Sequence, residues 1–206
     1  MRIASHARAD QRGFTLAEFL VAIALVGLIM TGLLTLMMTS NQTYLTGSNQ
    51  VEAQQAARVA LERMAREIRG AGYSSLTVVA CPPMTSCPIV GDPGPGNPTA
   101  TALVIQSDTD GDGTFEATER IAYTLNGTNL QRQVLGGVDA TPQTIVGGVQ
   151  ALTFTYLDEN DAVAAQAQDI RSVQISLTTR PENQPATWQA GRVSVTMSDK
   201  IRLRNR

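Results

Sequence analysis

The chain has 206 residues, 43% of them hydrophobic and 17% charged, which is room for one ordinary domain plus an appendage and too apolar for a disordered tail. With 16 basic and 18 acidic residues the net charge is −2, so bulk nucleic-acid binding has no electrostatic support. The one histidine, His6, lies ahead of the first apolar run and there are two cysteines, which excludes a Ser-His-Asp triad, a Cys-His pair and a structural zinc site from the body of the chain.

The first segment, 1–13, carries Arg2, Arg8 and Arg12 against Asp10. From Phe19 to Met38 follow twenty residues without a charge. At 1.5 Å rise per residue such a helix is about 30 Å long, the thickness of a bilayer core. The basic flank predicts a cytoplasmic N-terminus and export of everything after Met38. The run is longer than the roughly 7–15 residues of a cleaved signal sequence, and no small-x-small site follows it. A carboxylate, Glu18, sits in the first turns, where insertion costs about 2.5–3.5 kcal/mol.

These residues carry a resemblance. Arg12-Gly13-Phe14-Thr15-Leu16-Ala17-Glu18-Phe19 resembles the prepilin cleavage and methylation motif of type IV pilins and type II secretion pseudopilins. The resemblance implies a cut by prepilin peptidase after Gly13, an N-methylated Phe14 as the new terminus, and Glu18 as the glutamate that sets register during assembly. The mature chain would then keep 206 − 13 = 193 residues and no histidine. Ala17 and Phe19 depart from the larger aliphatic pair usual in the family, and Thr35 stands where many major pilins have a kinking proline. Physically, the Phe14 amine and the Glu18 carboxylate four residues on share a helix face, so the pair can form within one chain or between neighbours. The resemblance favours the intermolecular pair. Gly27 and Gly32 are five apart and do not make the small-residue dimer motif.

A second helical pattern follows the polar stretch 41–49. Val51, Ala53, Ala56, Ala57, Ala60, Leu61, Met64, Ala65 and Ile68 recur at spacings of three and four and predict a face laid on a sheet. Glu62 and Arg66 suit an i,i+4 ion pair. Arg69-Gly70-Ala71-Gly72 reads as a helix stop, and Gly47 leaves open whether one helix runs through from Phe14. The wording from Ala60 to Tyr73 also resembles the end of this helix in PilW-like minor pilins.

Beyond Tyr73 the signals are for strands at 103–105, 121–125, 152–156, 173–177 and 193–203, with Asn126-Gly127 as a tight turn. In the last strand Val193, Val195, Met197, Ile201 and Leu203 share one face with Asp199 as the exception, and Ser194, Thr196, Ser198, Lys200, Arg202 and Arg204 share the other. One wet and one buried face suit an antiparallel sheet packed on a helix. The expected fold is α+β and pilin-like: a leader at 1–13, a membrane half-helix at 14–39, an amphipathic half at 40–72, and a β-rich domain at 73–206 with one antiparallel sheet.

Three local features stand out. Cys81 and Cys87 flank a Pro-rich stretch that continues to Pro98; in an oxidising compartment the spacing predicts a small disulfide loop, with two buried thiols as the alternative. Asp108, Asp110 and Asp112, then Gly113 and Glu119, match the ligand positions of a calcium loop. Strand-like flanks replace the helices of an EF-hand, so an acidic, glycine-rich hairpin loop is the alternative. Lys200, Arg202, Arg204 and Arg206 end the chain as a solvated strand face or a contact for an acidic pilin, an anionic surface or DNA. Asn41 and Asn126 match the glycosylation pattern, which the prokaryotic resemblance discounts.

The sequence thus points to a membrane-anchored filament subunit without enzymatic activity. Its expected partners are prepilin peptidase, other major and minor pilins and inner-membrane lipid, with no small-molecule substrate. The alternatives are a minor pseudopilin of a type II secretion system and a calcium-dependent adhesin displayed on a pilin anchor.

Overall fold

The computed structural model describes residues 13–74, 81, 87–91, 98–138, 140–182 and 193–205. The leader ahead of Gly13, most of the Pro-rich stretch and Arg206 lie outside them. The chain forms two compact units, Met1–Tyr44 and Leu45–Arg206.

Helix α1 (Leu16–Gly70) runs unbroken for 55 residues, so Gly47 does not interrupt it. No proline falls inside it, and the pattern of apolar residues keeps helical spacing to Ile68. Every side chain from Gly13 to Leu45 is exposed, including the whole uncharged run. This is the one helix among the described residues long and apolar enough to cross a membrane. In the second unit the predicted stripe is buried at Ala53, Ala57, Ala60, Leu61, Met64, Ala65 and Ile68. Val51 is exposed and Ala56 half-buried, so the stripe is narrower than its periodicity indicated.

The helix stops where Gly72 adopts φ +75°, and its amide donates to the Gln106 carbonyl at 2.8 Å. A Cβ there would lie 2.6 Å from both the Asn205 carbonyl oxygen and Pro88 Cγ, so only glycine lets the chain turn into the sheet at this point.

The strands follow as β1 (Ile89–Val90), β2 (Ala102–Gln106), β3 (Arg120–Asn126), β4 (Asn129–Val134), β5 (Gln143–Val146), β6 (Val149–Leu157), β7 (Ser172–Thr179) and β8 (Val195–Arg202). All five predicted strands are present. In place of one sheet there are two, β1-β2-β3-β4-β5 and β6-β7-β8, antiparallel throughout. The break falls at Gly147-Gly148. Gly148 has φ +72°, and a Cβ on it would lie 2.2 Å from the Arg180 carbonyl oxygen. Close backbone approach there ends β5 and starts β6 in a different sheet.

The β3–β4 hairpin closes with Asn126 opposite Asn129, leaving Gly127-Thr128 as its two-residue loop. Gly127 has φ +61° and Thr128 does not adopt positive φ, which is a type II′ turn with glycine first. The turn predicted from Asn126-Gly127 is therefore present, shifted by one residue.

One core joins the helix stripe to the inner faces of both sheets, through Leu103, Ile105, Tyr123 and Leu130 from the first and Phe154, Ile175, Leu177 and Ile201 from the second. The alanines at 53, 57 and 60 have no exposed surface, which brings strand β7 close enough for the Thr179 hydroxyl to donate to the Ala53 carbonyl at 2.7 Å.

Candidate functional site

The first site is the start of α1. Thr15 precedes the helix and Glu18 is its third residue, the spacing of a capping box. The Glu18 amide donates to Thr15 Oγ1 at 3.3 Å, and Glu18 Oε2 accepts from the Thr15 amide and hydroxyl, both at 2.9 Å. Two backbone donors that an apolar surrounding would leave orphaned are thereby satisfied, and the carboxylate is solvated by its own chain. Sequence reading assigned Glu18 only to the Phe14 amine; the Thr-x-x-Glu spacing that signals the cap lies in the same motif. Phe14 is exposed beside it. A Cβ at Gly13 would meet nothing within 4 Å, so packing among the described residues does not require glycine there.

A row of threonines continues along α1. Thr31, Thr35, Thr39 and Thr43 each donate a hydroxyl hydrogen to the carbonyl four residues earlier, at 2.8–2.9 Å. This keeps the hydroxyls paired within the helix wherever the surroundings are apolar.

In the second unit, Glu67 ties α1 to the first sheet. It accepts from the Tyr123 hydroxyl at 2.7 Å and from Arg132 Nε at 3.0 Å, with Arg63 Nε at 3.7 Å. Burial and the neighbouring Glu67 carboxylate push the Tyr123 phenol well above its ordinary value, so it remains a donor. The i,i+4 pair is thus Arg63–Glu67; Glu62 and Arg66 form no ion pair among the described residues.

The acidic loop lies between β2 and β3. Asp108 and Glu119 are buried, while Asp110, Asp112 and Glu116 are exposed. Asp108 Oδ1 accepts from the Gly111 amide at 2.6 Å, and Oδ2 from the Gly113 amide at 3.1 Å and the Ser74 hydroxyl at 3.2 Å. Glu119 Oε1 accepts from the Thr109 amide, from the Thr109 hydroxyl at 2.9 Å and from the Asp110 amide at 3.2 Å. Burial works to raise the Glu119 carboxyl, but these donors and the Glu116 amide outweigh it and hold it below the ordinary value. Carboxylate oxygens of Asp108, Asp110 and Asp112 lie within 4.8 Å of one another, as do those of Asp110, Glu116 and Glu119. The four expected ligands, joined by Glu116, which the sequence pattern did not single out, therefore fall into two overlapping triads that share Asp110.

Cys81 and Cys87 form a disulfide, as their spacing predicted. The Cys87 carbonyl accepts from Gln106 Nε2 at 2.7 Å inside the core, and Gln106 Oε1 accepts from Arg120 Nε at 3.1 Å. On the last strand Lys200 pairs with Asp161 and Arg202 is exposed, as is Arg204 just beyond the strand's end.

Two family models match the chain. Residues 8–34 match the prokaryotic N-terminal methylation motif, which covers Gly13, Phe14 and Glu18. Residues 46–203 match prepilin peptidase-dependent protein B, across the second helix half and both sheets. The chain belongs to this family. No curated relative matches it. As a prepilin peptidase-dependent protein it carries a methylation motif that implies processing by prepilin peptidase and association with other pilins. Its apolar N-terminal helix fits an inner-membrane anchor.

Proposed function

We propose that the chain is a minor pilin of a type IV pilus, similar to PilW-like subunits, that takes part in the initiation or tip complex. It is made as a prepilin with the N-terminus cytoplasmic and the β-rich domain periplasmic, is cut after Gly13, and leaves the membrane by packing its helix among those of its neighbours. Its role is structural rather than enzymatic: the chain after Gly13 has no histidine to serve as the base of a nucleophile–base pair. The observation that carries the reading is register: Gly13, Phe14, the Thr15–Glu18 cap and the uncharged run stand in one line at the start of α1.

The test is the intact mass of the protein purified from membranes, with and without prepilin peptidase. Loss of residues 1–13 and gain of one methyl group is expected. An uncut chain in peptidase-positive cells would overturn the reading. Partners that co-purify with the processed form decide between a pilus and a type II secretion pseudopilus.

The acidic loop supports a subordinate reading, one calcium ion held by Asp108, Asp110 and Asp112. Their convergence within 4.8 Å favours it. Calcium at millimolar concentration is expected to raise the unfolding midpoint more than magnesium does, and an equal response to both ions overturns it.

A further inference from the structure

The β3–β4 hairpin holds the one asparagine–glycine step in the chain, Asn126-Gly127, and the filament reading gives it no role. Asn126 is the last residue of β3 and is exposed. Among the described residues its carboxamide donates only to Gln131 Oε1, at 3.4 Å. Gly127 is exposed at φ +61°, and a Cβ on it would meet nothing within 4 Å. The Gly127 amide donates no hydrogen bond among the described residues. A backbone nitrogen free of partners thus stands one residue beyond an exposed carboxamide, with no side chain to shield the approach.

The other described asparagines lack this combination. Leu130, which follows Asn129, is buried and paired within the β3–β4 ladder. Asp161, which follows Asn160, carries a side chain, and its amide donates to the Asp158 carbonyl at 3.4 Å. Asn41 and Asn49 lie inside α1, where the next amide is held by the helix. The Asn205 carboxamide is engaged by the Gly70 and Ala71 carbonyls.

We infer that Asn126 is a site of spontaneous covalent modification, by cyclisation onto the Gly127 nitrogen. In the first step that nitrogen gives up its proton and bonds to Asn126 Cγ. The Cγ–Nδ2 bond breaks, and ammonia leaves with the proton. In the second step water opens the five-membered imide. Opening at Cγ leaves aspartate, and opening at the backbone carbonyl leaves isoaspartate. Either product carries a carboxylate where the side chain was neutral, and water is the only co-reactant. The hairpin slows the reaction without blocking it. Asn126 is held opposite Asn129 as the last pair of the ladder, so cyclisation waits on fraying of that pair, the opening that costs least. The product acts on the join between the sheets. The Thr128 carbonyl accepts from the Val149 amide at 2.9 Å, and Val149 opens β6 directly after the Gly147-Gly148 break. Isoaspartate adds one carbon to the backbone ahead of Gly127 and carries the Thr128 carbonyl away from that amide. Modification at the hairpin tip therefore loosens the start of the second sheet as the folded chain ages.

The test ages the full chain, purified from membranes, in warm buffer at neutral and at mildly alkaline pH. Samples are cut to peptides and read by mass and by labelling with an isoaspartyl methyltransferase. The peptide holding Asn126 is expected to gain about 1 Da and to take up the label. It should do so about tenfold faster than the peptides holding Asn129 and Asn160, and faster at the higher pH, because the attacking nitrogen must lose its proton. Asn126→Gln lengthens the side chain by one carbon and disfavours the five-membered closure, so it should remove the label. The unfolding midpoint of fresh Asn126→Gln protein checks that it is folded. In aged wild-type protein the Val149 amide should exchange faster than in fresh protein. An Asn126 that keeps its carboxamide as long as Asn129 and Asn160 do overturns the inference, as does a label that persists in folded Asn126→Gln. A modified chain with an equally protected Val149 amide overturns the effect on the sheet join.

Discussion

Asp108 and Glu119 are the acids in the loop between β2 and β3 whose oxygens are surrounded by donors, and the loop takes its shape from them. Glu119 collects three amides and a hydroxyl through its two oxygens. Replacing it by glutamine removes the charge from these bonds and turns one acceptor into a donor that faces amides. Glu119→Gln is expected to cost about 1–3 kcal/mol at pH 7. The sign of its pH dependence follows from the lowered carboxyl. A group lowered in the folded state stabilises above its unfolded value and loses that contribution as pH falls through the folded one. The gap between wild type and variant should therefore be full at neutral pH and close as pH drops below the ordinary value of 4.5. Denaturant midpoints at pH 7 and at successively lower pH check this. Thr15 teaches the same lesson at the other end of the chain. Its role was present in the Thr-x-x-Glu spacing, yet the cleavage motif supplied a competing explanation for Glu18.

Among elements, the contact of α1 with the sheets is the most informative. Ala57 is fully buried in the core. Ala57→Leu should force helix and sheet apart and cost about 1–3 kcal/mol, read as a lower denaturant midpoint at unchanged slope. Glu67 works by a different force. Glu67→Ala leaves the buried Tyr123 hydroxyl and half-buried Arg132 without their acceptor, for about 1–3 kcal/mol. Arg63→Ala, which removes a half-exposed partner at 3.7 Å, should cost less than about 0.5 kcal/mol. Equal losses in the two variants would show that the Arg63 pair carries the clamp. This clamp also explains what the sequence concealed. The alternation of β2, β3, β6, β7 and β8 was legible because most of their inward positions are apolar, Thr179 and Asp199 being exceptions. Strand β4 places Arg132 opposite Tyr123, and its charge is answered by Glu67, 65 residues away in sequence. A polar residue on an inward position breaks the pattern unless its distant partner is known. Strand β5 is short and half-exposed, and which strands share a sheet is set by the close approach of Gly148 to the Arg180 backbone, a contact with no periodic signature.

For the whole molecule, the stabilising devices gather where α1 ends. Gly72 packs against Pro88, Asn205 Nδ2 donates to the Gly70 carbonyl, Ser74 meets Asp108, and Gln106 joins the Cys87 carbonyl to Arg120. The helix end, the acidic loop, the disulfide loop and the chain terminus are thus held by one set of bonds. Only the disulfide among them is covalent, and it lies at the start of β1, the two-residue strand that pairs with the far side of β2 among the described residues. Two residues bury too little to hold a strand in place, so the tether does what area cannot. Closing the loop from Cys81 to Cys87, a separation of six in sequence, is worth roughly 2 kcal/mol in the chain-entropy account. For a domain of this size that corresponds to roughly 4–8 °C in unfolding midpoint. Reductant, or Cys81→Ser with Cys87→Ser, should lower the midpoint by that amount, and reductant should have no further effect on the double variant. Hydrogen exchange locates the consequence: amides of β1 and β2 should lose protection first, while those of β6 and β7 keep theirs. Equal loss across both sheets would mean that the two unfold as one unit and that the disulfide steadies the whole domain rather than its weakest edge.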